Sequence, residues 1–303
     1  MLDLRERPLV STGWLAEHLG DPELRIVDAR WRGEGSSDQL YQGGHISGAI
    51  PLDWHQHLSH TVDGVTDILL GPEAFAQVMG QAGIGDDSRV VAYADTDHSG
   101  AARLWWALRY YGHEQVAVLD GGMTKWVAEG RPLTQEPAAP LPAVFTPRPQ
   151  PAWLATAGEI ARSLVDPENN VRLVDTRPPE QYAGIAVWTP LGSLYLPPGR
   201  DWTHVDGRPM RGGHIPGARH LHSVDNLDPE SNYVYLAPEK LRARAEAAGL
   251  EPGQRVITYC GVGISGSLGL FALYLAGFRN LALYDASWSE WGTDPERPVE
   301  RDE

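Results

Sequence analysis

The sequence holds a single cysteine, Cys260, with a distinctive pattern around it. An apolar run, Arg255-Val-Ile-Thr-Tyr259, leads into it, and Gly261-Val-Gly-Ile-Ser-Gly266 follows. After Ser267 comes an apolar stretch, Leu268-Gly-Leu-Phe-Ala-Leu-Tyr-Leu275. The pattern predicts a buried strand, a glycine-rich loop and then a helix over Ser267–Ala276. Glycines permit backbone geometries closed to other residues, so successive N–H groups can converge into an anion nest. The helix N-terminus adds positive partial charge. Both effects favour a thiolate, which is the nucleophilic form of cysteine. The N–H groups of Gly261, Val262, Gly263, Ile264, Ser265 and Gly266 would likewise hold the anionic outer sulfur of a persulfide. A lone cysteine is also a common inert core residue. The local residues fit both readings. The spacing is neither that of a P-loop nor that of a Gly-x-Gly-x-x-Gly loop after the first strand.

An internal repeat supplies a comparison. Val27-Asp-Ala-Arg30 matches Val174-Asp-Thr-Arg177, and Gly43-Gly-His-Ile-Ser-Gly-Ala49 matches Gly212-Gly-His-Ile-Pro-Gly-Ala218. Arg89-Val-Val-Ala-Tyr93 matches Arg255-Val-Ile-Thr-Tyr259, and Asp120 to Trp126 matches Asp285 to Trp291. The chain is therefore a duplicated domain. After Tyr93 the first copy reads Ala94-Asp-Thr-Asp-His-Ser-Gly-Ala101, with no thiol and two added carboxylates. The first copy is expected to be catalytically inactive. The second copy carries about 22 extra residues, within 185–209, between its first two motifs.

The elements that must position the cysteine follow from the patterning. Leu24–Ala29, Arg89–Ala94, Val116–Leu119, Leu173–Thr176, Arg255–Cys260 and Leu281–Tyr284 read as buried strands. Trp14–Leu19, Pro72–Ala82, Gly100–Tyr111 and Pro238–Ala248 read as helices. Strands alternating with helices predict an α/β fold, each copy a mainly parallel sheet flanked by helices. In such sheets ligands sit outside the carboxyl ends of the strands, where Cys260 falls. The proline-rich stretch from Pro132 to Pro151 reads as a semi-rigid linker. The expected domains are 1–135 and 151–303, with 136–150 between them.

Composition excludes several classes. The net charge is −15 and no Lys/Arg run occurs, which opposes nucleic-acid binding. No apolar stretch reaches the length of a membrane span. The N-terminus is charged and lacks the apolar region of a secretory signal. One cysteine makes neither an internal disulfide nor a multi-cysteine metal site. A cytoplasmic enzyme without metal or cofactor is the expectation.

The ordered motifs, the Tyr-Cys-Gly-x-Gly loop and the two copies together resemble the rhodanese family, and specifically its tandem-domain sulfurtransferases. The resemblance covers nearly the whole chain. It implies transfer of a sulfane sulfur from thiosulfate or 3-mercaptopyruvate, through a cysteine persulfide, to a thiol or cyanide-like acceptor. Cys260 maps onto the family nucleophile. The loop is similar to the mercaptopyruvate type, Cys-Gly-Ser-Gly-Val-Thr, with Val262 in place of its serine. Gln181 stands where members of both types carry an arginine. A non-catalytic binding module is the alternative reading of such a domain, and retention of Cys260 opposes it. A Cys-x5-Arg phosphatase is opposed by Gly266 at the arginine's position.

An anionic donor requires a cation or an equivalent. Arg200, Arg208 and Arg211, in or beside the insertion of the second copy, are the candidates, with Arg211 favoured because it adjoins Gly-Gly-His-Ile-Pro-Gly. Asp28, Arg30, Asp175 and Arg177 occur in both copies and read as structural, with an Arg177–Glu180 pair as a local brace. His45 and His214 read as turn or core residues. His55, His57 and His60 read as a surface loop rather than a metal site.

Overall fold

The computed structural model describes residues 3–33, 35–166, 170–189, 192–196, 201–203 and 209–302. The chain forms two compact units. The first contains residues up to 60, then 69–151 and 227–236; the second contains 61–68, 152–226 and everything from 237 on.

Each unit is built on a five-stranded sheet in which every pairing is parallel. In the first unit the order is Leu9–Val10, Val116–Leu119, Arg89–Tyr93, Leu24–Asp28 and Ala49–Pro51. In the second it is Leu154–Ala155, Leu281–Tyr284, Arg255–Tyr259, Val171–Asp175 and Arg219–His220. The two orders correspond strand for strand. The central strands are buried on both faces, as the continuous apolar runs require. The expected strands are present to within a residue or two at each end. The short edge strands, two residues in three of the four cases, escaped the patterning because they are too brief to show a period.

Matching local signals start matching helices. Ser11 Oγ accepts from Trp14 N to cap Thr12–His18, and Thr156 Oγ1 accepts from Glu159 N to cap Ala157–Val165. The helices Ser99–Tyr110 and Ile264–Leu275 follow the central strands and are buried along nearly their whole length.

Residues 136–150 do not act as a spacer. Ala143 N donates to Gly80 O, Thr146 N to Asp86 Oδ1 and Arg148 N to Tyr111 O. Phe145 is buried against Phe75 and His113. The prolines have no N–H to donate to a sheet ladder, but the N–H groups between them bind the first unit, and the stretch becomes a strap on it. His55 and His57 lie on a helical turn, Trp54–His57, capped by Asp53, and His60 lies on the strand Ser59–Val62, so the expected loop is ordered. The described part of the insertion is a hairpin, Ala186–Thr189 with Gly192–Tyr195, and the short ladder Trp202–Thr203 with Pro209–Met210.

Candidate active site

Cys260 is the first residue past the carboxyl end of the second unit's central strand and is 2% exposed. The loop is shorter than expected. Its helix begins at Ile264, three residues before Ser267, and Gly263 precedes it with φ +82°. Glycine takes that conformation without penalty. Ile264, Ser265 and Gly266 are thus the first helical turn, whose N–H groups have no intrahelical acceptor. Cys260 therefore stands at the base of a twelve-residue helix, with Gly261, Val262 and Gly263 between. Ser267 Oγ donates to Gly263 O and Thr258 Oγ1 to Gly266 O, which lock this turn from both sides. A side chain at 266 would meet Leu283 Cδ1 at 2.8 Å, so the position of a phosphatase arginine is filled by the core.

Three neighbours of Cys260 were not singled out from the sequence. Its backbone N–H donates to Ser287 Oγ at 3.0 Å, and its carbonyl accepts from Trp288 N at 2.9 Å. Thr176 N and Oγ1 both donate to Tyr259 O, at 3.0 Å each. The available signal for Ser287 and Trp288 was the Asp285-to-Trp291 match, which encloses them. The first unit repeats the frame without the thiol. Ala29 N donates to Tyr93 O and Met123 N to Ala94 O, so Ala94 occupies the place of Cys260 and Gly122 that of Ser287.

The Asp-x-Arg motif braces the site from below. Arg177 pairs with Asp175 (Nη2 to Oδ2 2.6 Å) and donates to Gly213 O at 2.6 Å, with both residues buried. Its guanidinium carbon lies 4.4 Å from the Trp288 ring centre. Asp28 and Arg30 repeat the pair in the first unit, with Gly44 O and Leu40 O as carbonyl partners. The partner of Arg177 is therefore Asp175, whereas Glu180 accepts from Ser193 Oγ. Burial pushes the Tyr259 phenol well above its usual range, so it stays an O–H beside Asp175. His45 stacks on Tyr41 and His214 on Tyr182, at 3.7 and 3.8 Å between ring centres, each with Nδ1 2.9 Å from the carbonyl of the residue it stacks on.

The structure gives Arg211 a different task from the one expected. Its guanidinium donates to the carbonyls of Gly292, Arg297, Trp291 and Asp294, and so holds the chain after the last helix. A side chain enclosed by four carbonyls is a poor ligand for a substrate anion. Gln181 is 2% exposed; its Nε2 donates to Ser193 Oγ on the insertion hairpin. Arg200 and Arg208 lie outside the described residues. Among the described residues, no group of three or more His, Cys, Asp or Glu side chains could hold a metal ion, and no helix is long and apolar enough to cross a membrane.

Two parallel α/β units, one with a cysteine at the carboxyl end of its central strand, define the class. The rhodanese-like domain family matches residues 11–129 and again 156–294, and the chain belongs to that family. The chain is 32% identical to a sulfur carrier protein of Thermus thermophilus, over 97% of both chains. It is 33% identical to a thiosulfate sulfurtransferase of Corynebacterium glutamicum, over 97% of this chain and 91% of that one. A crystal structure of the 3-mercaptopyruvate sulfurtransferase of Escherichia coli superposes with a TM-score of 0.76 at 27% identity, covering 93% of this chain and 98% of that one. The protein is a two-domain sulfurtransferase, an enzyme with a sulfur donor and a sulfur acceptor as substrates.

Proposed function

We propose that Cys260 carries the transferred sulfur as a persulfide, and that the donor is a small anion of the thiosulfate or 3-mercaptopyruvate type. The Cys260 thiolate attacks the sulfane sulfur of thiosulfate; the S–S bond forms on the enzyme and sulfite leaves with the electron pair of the broken bond. With 3-mercaptopyruvate the carbon–sulfur bond breaks and the enolate of pyruvate leaves, to be protonated afterwards. A thiolate or cyanide then attacks the outer sulfur and the Cys260 thiolate is regenerated. One observation carries this reading: the cysteine ends a buried central strand directly before a Gly263-initiated helix turn. That turn supplies backbone N–H groups where negative charge sits on the outer sulfur.

The donor's charge falls on the N–H groups of residues 261–266. The commitment of Arg211 to four carbonyls supports this. Gln181 adds a neutral polar group beside the insertion. The first unit, with Ala94 in the nucleophile's place, acts without catalysing transfer. A cytoplasmic setting accompanies the single reduced thiol, and the charge of −15 opposes a nucleic-acid partner.

The test is mass spectrometry of the chain after incubation with each donor. A gain of about 32 Da on the peptide containing Cys260 is expected. Parallel steady-state rates with thiosulfate and 3-mercaptopyruvate identify the donor. An unmodified Cys260 with turnover of either donor would overturn the persulfide. No adduct and no turnover would favour a binding module.

A further inference from the structure

The loop in the first unit that corresponds to the cysteine loop is not vacant space. It is one residue longer, 94–98 against 260–263, and its carboxylates are used locally. Asp95 pairs with Arg32 at 2.6 Å, and Asp97 Oδ1 accepts from Ser99 N. His98, at the position before the helix, is fully buried. Its Nε2 donates to Tyr233 O at 2.9 Å, and its ring lies 5.3 Å from that of Tyr235. Asp120, at the end of the next strand over, accepts from Tyr235 N through Oδ1 at 2.9 Å. A Cβ on Gly121 would stand 3.1 Å from Asn232 O.

Residues 232–235 belong by sequence to the second copy, yet the segment 227–236 is part of the first compact unit. It is a hairpin, Leu227–Asp228 with Val234–Tyr235. Its turn holds two successive non-glycine residues in the left-handed region, Asn232 and Tyr233, both at φ +59°. Such strain persists where surrounding contacts over-determine it. The residues just before the hairpin begin elsewhere: Ser223 N donates to Thr176 O, and Thr176 N to Tyr259 O, next to Cys260. The covalent run from 223 to 235 therefore starts on the strand end beside Cys260 and finishes on His98 and Asp120.

We infer that the loop which lost the nucleophile has become a receptor for the hairpin 227–235, with His98 and Asp120 as positioning residues for the active copy. The surface is the old loop of the first copy, and the ligand it takes is a segment of the same chain. This rests on the proposed use of Cys260 only in its kinetic consequence.

The experiment uses the full chain with His98→Ala, His98→Gln, Asp120→Ala and Asp120→Asn. Gln keeps an N–H for Tyr233 O, and Asn keeps an oxygen for the Tyr235 N–H. Hydrogen exchange at 232–235 is expected to quicken about fivefold or more in both Ala variants, with that at 255–259 unchanged. The donor KM is expected to rise about 2- to 30-fold with kcat nearly constant. The Gln and Asn variants should restore both. Exchange at 232–235 that stays at the wild-type rate in both Ala variants would overturn the receptor, whether or not Cys260 carries sulfur. Faster exchange with unchanged KM would overturn the positioning role.

Discussion

The backbone N–H of Cys260 donates to Ser287 Oγ at 3.0 Å, and Ser287 does this from φ +51°. The equivalent residue of the first unit, Gly122, has φ +50°. The fold thus imposes a left-handed residue at this point in both copies. Where no cysteine needs support it is glycine; beside the cysteine it is serine, held by its own bond to Tyr284 O at 2.7 Å. A non-glycine residue in that region costs about 1–3 kcal/mol, which is the cost of placing a hydroxyl against the backbone of Cys260.

Two substitutions at this position should separate strain from support. Ser287→Ala retains the strain and loses both hydrogen bonds, whereas Ser287→Gly loses the bonds and the strain together. Thermal unfolding is expected to rank wild type and the Gly variant above the Ala variant, with the Ala variant lower by about 1–3 kcal/mol. Sulfur transfer should fall in both. An Ala variant as stable as the Gly variant would remove the strain argument.

Cys260→Ser is expected to abolish transfer while leaving the fold intact, since the chain has no other thiol. Circular dichroism and donor turnover measured on the same preparation check this. Turnover near the wild-type rate in that variant would refute the persulfide route.

Arg211→Ala should act on stability and not on donor binding. Four carbonyls lose their donor, and a buried polar group left unpaired costs about 1–3 kcal/mol. The expected result is a lower melting temperature with donor KM unchanged. A tenfold rise in KM at an unchanged melting temperature would return Arg211 to the substrate.

His98 makes the first unit sensitive to acid. Burial lowers its pKa from 6.5 to about 4. Between those values the unfolded chain binds more protons than the folded one, so stability falls as pH drops from about 6.5 towards 4. The full effect is on the order of 3 kcal/mol. Urea unfolding at pH 7 and pH 4.5 should show a smaller acid loss in His98→Gln than in the wild type. Equal losses would show that His98 does not carry the effect.

Arg177→Ala should be severely destabilising, by about 3–5 kcal/mol, because it leaves the buried Asp175 carboxylate without its partner. The same substitution at Arg30 should cost a comparable amount through Asp28. Denaturant midpoints of the two variants measure both. A mild effect at 177 with a large loss of turnover would mean that this arginine serves the chemistry rather than the fold.

The amino-acid sequence by itself determined the duplication, the parallel sheets and the place of Cys260. These depend on short-range signals: apolar runs of strand length, glycines after a strand, and motifs that recur in order. The Asp-x-Arg pairs were legible as structural because both copies keep them. Tertiary structure decided what rests on long-range contact. Ser287 reaches Cys260 across 27 residues and Arg211 reaches the 291–297 turn across about 80, distances at which no sequence pattern records a hydrogen bond. Arg211 looked like a substrate cation because its charge was visible and its four carbonyl partners, being main-chain groups, leave no mark on the sequence. His98 was not singled out from the sequence, for the same reason. Its partner is the carbonyl of Tyr233, supplied by a hairpin 135 residues away that only the folded chain brings to it.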